Sequence, residues 1–308
     1  MNENISALTT EKQNRRTRHI DRYSTPELLR LINEEDRTVA DVVGAAIPAI
    51  SEAVARIVDS FRKQGRLFYF GAGTSGRLGI LDASECPPTY GTDPDRVQGI
   101  IAGGDKAIRE AVEGAEDSYE LGVRDVTAYG IRPEDVLVGI AASGRTPYVL
   151  GAMTRAREIG ATVIGISNNE RSPMADIADL MIEAVVGPEV IMGSTRMKAG
   201  TAQKLILNML TTASMVKVGK VYDNLMVDLQ PSNGKLVDRA KRIIQLATQA
   251  SDAEVEAAYE AADGHVKTAI VMLRAGADKE QARQLLERAD GFVGGAIAMS
   301  QQSGGSAS

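Results

Sequence analysis

The chain has 308 residues, which is long enough for one large α/β domain with a smaller appendage. Hydrophobic residues make up 44% of it, but aromatic residues only 4% and tryptophan is absent, so the core must be built from aliphatic side chains. A formal net charge of −6 argues against a general binder of nucleic acids or anionic membranes, because both partners require an excess of Lys and Arg on one surface.

The N-terminal segment is polar, and its basic residues between Lys12 and Arg22 are interspersed with Glu11 and Asp21. This mixture predicts a flexible or partner-contacting arm. A secretory signal would need an apolar run here, and no apolar stretch approaches the ~20 residues of a membrane span. A single cysteine, Cys86, excludes an internal disulfide. We therefore expect a soluble cytoplasmic protein with no nucleic-acid or membrane partner.

Two helices are predicted before the first strand. Ser24 or Thr25 is suited to the N-cap of the first helix, with Pro26 at its first position and Glu27 in its first turn. The second helix is predicted from about Thr38 to Gln64, because apolar residues recur there at helical spacing.

Short buried strands then alternate with helices. The predicted strands are Leu67–Phe70, Val97–Ala102, Asp135–Ala141, Thr162–Ser167 and Leu180–Val186. Most are separated by enough chain for a crossover helix, so the fold class is α/β, with a mostly parallel sheet of about five strands covered by helices on both faces. In such sheets ligands bind outside the carboxyl ends of the strands.

The C-terminal third is predicted to be helical. A long buried helix is expected from about Gly200 to Lys220, followed by short amphipathic helices at Lys235–Ala250, Asp252–Ala262, Val266–Ala275 and Lys279–Ala289. The expected organisation is an N-terminal arm with helices (1–55), an α/β domain (56–230), a small helical domain (235–302) and a disordered tail (303–308).

A glycine-rich loop follows the first strand. Gly71, Gly73 and Gly76 satisfy the dinucleotide pattern GxGxxG, which is a weak signal by itself. The dinucleotide fold also requires an acidic residue at the end of the next strand, where this chain has Gly103-Gly104. The sequence therefore disfavours a nicotinamide cofactor.

A second small polar loop, Ala142–Pro147, follows the third strand. Pro147 suits the first turn of a helix, whose positive end attracts an anion while Ser143 and Thr146 supply hydroxyl donors. The alternative is that these hydroxyls only cap the helix. The chain has no GxxxxGK[ST] loop and no clear magnesium-binding acid, so the two loops favour a sugar phosphate over a nucleoside triphosphate, with no metal or other cofactor.

The pairing of a Gly-Thr-Ser loop with a Ser-Gly-x-Thr loop resembles the sugar isomerase (SIS) domain. Four longer segments, Gly71–Tyr90, Ala111–Asp117, Ala141–Tyr148 and Gly193–Lys204, resemble the N-acetylmuramic acid 6-phosphate etherases, from about Thr9 to the C-terminal helices. The resemblance implies a homodimeric lyase that releases D-lactate from this sugar phosphate by elimination and then water addition, in cell-wall sugar recycling. Alternatives within the same fold are a sugar-phosphate isomerase and a non-catalytic regulator similar to glucokinase regulatory protein.

Non-hydrolytic cleavage of an ether needs an acidic C–H, a base and an acid, and two carboxyl groups suffice for it. Glu85 is expected at the end of a helix that stops before Pro87-Pro88, where the helix dipole favours the protonated acid. Glu116 is expected on a helix from Lys106 to Val126, beside its apolar stripe. From the residues alone an ordinary surface carboxylate is the favoured interpretation of each, with an acid–base role as the alternative. The resemblance implies that Glu85 is the proton donor and Glu116 the other acid–base residue, and the sequence leaves open which of them takes the C2 proton.

The remaining candidates surround these glutamates. Expected phosphate and substrate ligands are Ser75, Ser143 and Thr146, with Thr74, Gly144 and Arg145 from the same loops, and Ser194, Arg196 and Lys198 as weaker candidates. Cys86 is expected to be a small buried residue rather than a nucleophile, because neither histidine is near it in sequence. His265 and Lys267, at the start of a C-terminal helix, are candidates to reach a partner subunit's site.

Overall fold

The structure is a computed structural model that describes residues 8–229 and 234–304, and the chain divides into two compact units. The first unit consists of Met1–Ser84 and Asp95–Thr211, and the second of Glu85–Pro94 and Thr212–Ser308. The second unit thus includes Glu85–Pro94, which the predicted domain boundaries assigned to the α/β domain. Residues 305–308 of the predicted tail lie outside the described residues.

The first unit is built on a five-stranded parallel sheet. Its strands are β1 (Leu67–Gly71), β2 (Val97–Ile101), β3 (Val136–Ile140), β4 (Thr162–Ser167) and β5 (Leu180–Glu183), in the order β2-β1-β3-β4-β5. Every residue of β1 and β3 is buried, as expected for strands covered on both faces. Gly71 is level with Ile101 on one side and Ile140 on the other, so the loops after β1, β2 and β3 share one edge of the sheet. The predicted fold class is confirmed.

Two helices precede the sheet, with a different boundary from the predicted one. They are α1 (Thr25–Ala45) and α2 (Ile47–Arg62), and α1 continues seven residues past Thr38. The break falls at Ala46 because Pro48 lacks the N–H that would bond to Gly44 and is tolerated only in a helix's first turn. Among the described residues no single helix is long and apolar enough to cross a membrane; α1 and α2, bent by 58°, meet that test together by length and composition only.

The helix after β1, α3 (Gly73–Tyr90), is longer than predicted. It continues through Pro87 and Pro88, so the prediction that it ends before these prolines was wrong. Both prolines lie in the last turn, where the missing N–H groups interrupt only the final intrahelical bonds. Gly91 closes the end by donating to the oxygen of Pro87 at 2.9 Å.

The prediction of a single helix from Lys106 to Val126 was also wrong. The chain instead forms α4 (Asp105–Arg109), a loop, and α5 (Tyr119–Ala128). Gly114 within the loop has φ +73°, a left-handed conformation that ends a right-handed helix. Ser118 caps α5 by accepting a hydrogen bond from the N–H of Leu121 at 3.1 Å. Two further helices complete this unit's cover, α6 (Pro147–Ile159) and α7 (Lys198–Lys217), whose last residues belong to the second unit.

The N-terminal segment predicted to be a flexible or partner-contacting arm is packed against the first unit from residue 8 onward. Arg16 forms ion pairs with Glu34 and Glu35 on α1 at 2.9 and 2.8 Å. Thr17 donates its hydroxyl to the main-chain oxygen of Val190 at 2.8 Å. These contacts fix the arm beside the carboxyl edge of the sheet.

The second unit is helical. Its helices after α7 are α8 (Gly234–Thr248), α9 (Asp252–Ala261), α10 (Val266–Ala275), α11 (Lys279–Arg288) and α12 (Val293–Gly304). The first four were predicted, and α12 was not; it includes positions 303 and 304, which were predicted to be disordered. A buried aliphatic cluster centred on α10 forms the core of this unit, and Lys267 at its edge pairs with Asp228 at 2.8 Å.

Candidate active site

The candidate site is a cavity of about 470 Å³ in the first unit, at the carboxyl ends of β1 and β3. Both predicted loops line it, and so does Glu116. From the loops come Ala72, Gly73, Thr74, Ser75, Ala141, Ala142, Ser143, Arg145, Thr146 and Pro147; the other lining residues are Thr10, Glu11, Asp117, Ile140, Gly193 and Thr195. The edge of the sheet thus gathers most of the predicted site residues.

The first loop brings the start of α3 close to the sheet. A Cβ on Gly76 would lie 2.6 Å from Cγ1 of Ile101 and 2.8 Å from the oxygen of Gly71, so only glycine permits this approach. The first turn of α3, with Thr74 and Ser75, therefore lines the cavity. A helix presents unpaired N–H groups and a positive dipole end there, which favours an anion.

Ser75 is 8% exposed and its hydroxyl is already engaged. It donates to Oε1 of Gln203 on α7 at 2.8 Å. Gln203 was not among the predicted site residues, because it lies 128 positions away in the sequence and has no local pattern.

The second loop depends on a close contact at Gly144. This residue has φ +68°, and a Cβ here would lie 2.2 Å from Cβ of Ser172. Thr146 is the N-cap of α6, but its side chain makes no capping bond, and Ser143 only accepts a bond from the N–H of Arg145 at 3.3 Å. A cap would accept through its hydroxyl oxygen, so the missing bond at Thr146 argues against a purely capping role for that residue.

The start of α6 offers fewer free N–H groups than the sequence suggested. Pro147 has none, and the N–H of Tyr148 donates to the main-chain oxygen of Glu116 at 3.0 Å. An anion here would be bound mainly by hydroxyl groups and by the positive end of the helix dipole.

Glu116 lies in the loop between α4 and α5, not on a helix, and its side chain is exposed to the cavity. A side cavity of about 250 Å³ adjoins the main one and shares Ala72, Gly73 and Glu116 with it. Arg77 supports this loop by donating to the main-chain oxygens of Ile108 at 2.9 Å and Glu110 at 3.3 Å. Glu116 thus lies where the two cavities meet.

Glu85 is an exposed residue of α3 within the second unit. Because α3 continues to Tyr90, Glu85 is inside the helix rather than at its negative end, so the argument from the helix dipole was wrong. Cys86, beside it, is buried, as predicted.

The N-terminal arm adds two lining residues that the sequence did not reveal, Thr10 and Glu11. Asn169, just after β4, holds the arm: its Oδ1 accepts from the N–H of Thr9 at 2.8 Å, and its Nδ2 donates to Oγ1 of Thr10 at 3.2 Å and to the oxygen of Ala142 at 2.9 Å. One amide therefore joins the arm to the start of the second loop.

Of the three weaker candidates, Lys198 is buried away from the cavity. It is 3% exposed, and its Nζ lies 2.7 Å from Oε2 of Glu35. The main-chain N–H groups of Lys198 and Ala199 donate to Glu189 at 2.9 Å, and burial raises the pKa of that carboxyl. The neighbours Gly193 and Thr195, rather than Ser194 or Arg196, line the cavity.

The parallel sheet with two hydroxyl-bearing loops at its carboxyl edge defines a sugar isomerase (SIS) domain. The chain matches the family model described as SIS domain over residues 117–213, and the one described as glucokinase regulatory protein N-terminal SIS domain over residues 49–157. Fold and family model thus agree on the class of protein.

Relatives that match over nearly the whole chain show which family of SIS-domain proteins it belongs to. The chain is 57% identical to N-acetylmuramic acid 6-phosphate etherase of Photorhabdus laumondii, over 94% of this chain and 96% of that protein. It is 55% identical to the protein of the same name from Clostridioides difficile, over 95% of this chain and 96% of that protein. The chain belongs to the N-acetylmuramic acid 6-phosphate etherase family. Among solved structures, it is similar to a phosphoheptose isomerase from Francisella tularensis, with a TM-score of 0.47 and 17% identity over 62% of this chain and 100% of that one.

Proposed function

We propose that this protein cleaves the D-lactyl ether of N-acetylmuramic acid 6-phosphate, giving N-acetylglucosamine 6-phosphate and D-lactate. The observation that carries the proposal is that Glu116 opens into the same cavity as Ser143 and Thr146, in a chain of this family. A carboxylate and a set of hydroxyl donors in one cavity suit a reaction on a phosphorylated sugar.

The phosphate is proposed to bind between the two loops. Thr74, Ser143 and Thr146 line the cavity with hydroxyl groups, and the helices α3 and α6 both begin at it. Their positive dipole ends compensate the phosphate charge without a metal ion. Gly144 and Arg145 would shape and support the second loop.

The reaction is proposed to proceed through the open-chain aldehyde, in which the C2 proton is acidic. Glu116, which lies in the cavity, takes this proton. Lactate then leaves from C3 as its oxygen is protonated; the family resemblance assigns this role to Glu85, which is not among the residues that line the cavity. Water adds across the resulting C2–C3 double bond, with its hydroxyl at C3 and a proton at C2, so the sum of the two steps is ether cleavage by one water molecule.

A homodimer in the cytoplasm is part of the same proposal. The support for an interface is exposed apolar surface on the N-terminal helices, where Leu29 is 60% and Ile47 49% exposed. Light scattering on the purified protein, compared with Leu29→Glu, tests this arrangement.

The test of the activity is an incubation of purified protein with N-acetylmuramic acid 6-phosphate in oxygen-18 water. Label in the amino sugar and none in lactate is the expected result. An isomerase would instead form a ketose phosphate from an aldose phosphate, and a regulator would bind the sugar phosphate without turnover. Absence of lactate would refute the etherase proposal.

A further inference from the structure

A series of three side-chain hydrogen bonds leads from the cavity into the core of the first unit. Ser75 Oγ donates to Oε1 of Gln203 at 2.8 Å, Nε2 of Gln203 donates to Oδ1 of Asn168 at 3.0 Å, and Nδ2 of Asn168 donates to the main-chain oxygen of Ala184 at 2.8 Å. Gln203 and Asn168 are each 1% exposed, and Ala184 is fully buried. The series beyond Ser75 is therefore shielded from bulk water.

The direction of these hydrogen bonds is set at the buried end. The main-chain oxygen of Ala184 can only accept, so Asn168 must present its Nδ2 to it and its Oδ1 to Gln203. Gln203 must then present Nε2 to Asn168, which leaves Oε1 for Ser75. Turning either amide over would place two acceptors or two donors face to face in a buried site, where an unpaired polar group is costly.

The consequence concerns the proton of Ser75. A hydroxyl group has one proton and two lone pairs, and here the proton is committed to Gln203. Ser75 therefore presents only lone pairs to the cavity that it lines. Near neutral pH a sugar phosphate is largely dianionic and offers acceptors only, so it is a poor partner for this oxygen.

We propose that Ser75 accepts a hydrogen bond from a hydroxyl group of the sugar and is not a phosphate ligand, and that Gln203 and Asn168 are positioning residues that keep it an acceptor. The phosphate is then bound by the hydroxyls of Thr74, Ser143 and Thr146. The identity of the ligand as a phosphorylated sugar rests on the proposed function. The direction of the hydrogen bond from Ser75 to Gln203 does not depend on the proposed function.

Calorimetric titration with two probes tests this assignment without turnover. The probes are N-acetylglucosamine 6-phosphate and inorganic phosphate. Ser75→Ala should weaken binding of the sugar phosphate by about 2- to 10-fold, the effect of one neutral hydrogen bond, and leave phosphate binding unchanged. Thr146→Val should weaken binding of both probes.

Gln203→Met separates positioning from packing, because it keeps the side-chain length and removes the acceptor. It frees the Ser75 proton, so phosphate binding should stay equal or become tighter while sugar-phosphate binding falls. The matched control is Thr201→Val on the same helix, an exposed residue whose hydroxyl bonds to the oxygen of Met197. It should leave both affinities unchanged.

Three results would overturn the proposal: weaker phosphate binding in Ser75→Ala, equal losses for both probes in Gln203→Met, or failure of the unaltered protein to bind either probe. Failure of the proposed function gives a different result. Normal binding with this discrimination, but no lactate from N-acetylmuramic acid 6-phosphate, would refute the etherase activity and leave the role of Ser75 standing.

Discussion

The main-chain N–H of Tyr148 donates to the main-chain oxygen of Glu116 at 3.0 Å. This bond joins the first turn of α6, at the second loop, to the loop that carries the proposed base. The position of the carboxylate therefore depends on the same helix start as the proposed phosphate site. The carboxylate of Glu116 is therefore already in place beside a ligand bound at Ser143 and Thr146.

Glu116→Gln should lower kcat by about 10²- to 10⁴-fold, because the amide cannot take a proton from C2. The main-chain bond to Tyr148 is unaffected, so the affinity for N-acetylglucosamine 6-phosphate and the far-UV spectrum should not change. Glu120→Gln, an exposed carboxylate on α5, is the matched control and should keep full activity. Equal turnover by Glu116→Gln and the unaltered protein would exclude Glu116 as the base.

Much of the fold was predictable because its signals are local. The five strands are short apolar runs that lie close to their predicted positions. The loops after β1 and β3 contain the glycine, serine and threonine residues that line the cavity. Since the carboxyl ends of parallel strands lie at one edge, the sequence also predicted that these loops meet.

The errors arose where tertiary contacts outweigh local preference. The apolar spacing around Glu116 suggests one long helix, but Gly114 in a left-handed conformation and the bond to Tyr148 turn that segment into a loop. The roles of Gln203 and Asn169 had no sequence signal, since their partners lie 128 and up to 160 residues away. Amides of this kind become recognisable only when their hydrogen bonds can be traced.

Gly144→Ala should disrupt the second loop. The new Cβ would lie 2.2 Å from Cβ of Ser172, and the residue would also adopt φ +68°. We expect a loss of sugar-phosphate affinity and a destabilisation of more than about 2 kcal/mol, above the cost of a left-handed alanine alone.

Gly130→Ala is its control, because Gly130 has φ +58° but a Cβ added there would meet nothing within 4 Å. Gly130→Ala should lower the free energy of unfolding by only about 1 to 2 kcal/mol and leave the affinity for the sugar phosphate unchanged. Denaturant unfolding and calorimetry measure the two effects. Similar losses in both variants would show that backbone strain, and not the contact with Ser172, is responsible.

Lys198→Met should destabilise the first unit by about 1 to 3 kcal/mol, because it removes the buried partner of the Glu35 carboxylate at 2.7 Å and leaves Arg16, at 2.8 Å and half exposed, as its remaining cation. Burial acts to raise the pKa of Glu35, but the hydrogen bonds from Lys198 and Asn14 and the charges of Lys198 and Arg16 together outweigh it, and the net pKa is lowered. The pair's contribution is therefore present above the unfolded pKa and lost as pH falls through the folded value.

The double variant Lys198→Met with Glu35→Gln should recover part of this loss, because the buried side chain at position 35 is then neutral. Urea unfolding of the four proteins in the cycle measures the coupling. If Lys198 instead binds substrate, Lys198→Met would raise KM strongly while its midpoint of unfolding stayed unchanged.

Asp82 on α3 is expected to make stability depend on pH. It accepts hydrogen bonds from Tyr69 at 3.0 Å and Thr211 at 3.2 Å, yet burial raises its pKa to about 6. Because the folded pKa exceeds the unfolded value of about 3.9, the contribution of Asp82 to stability is fully present below pH 4 and is lost as pH rises through 6.

Asp82→Asn removes this titration. Relative to the unaltered protein, the variant should gain up to about 3 kcal/mol between pH 4 and pH 8 in urea unfolding, whereas Asp59→Asn, at an exposed position, should track the unaltered protein. Parallel stability curves for Asp82→Asn and the unaltered protein across this range would show that folding does not raise the pKa of Asp82.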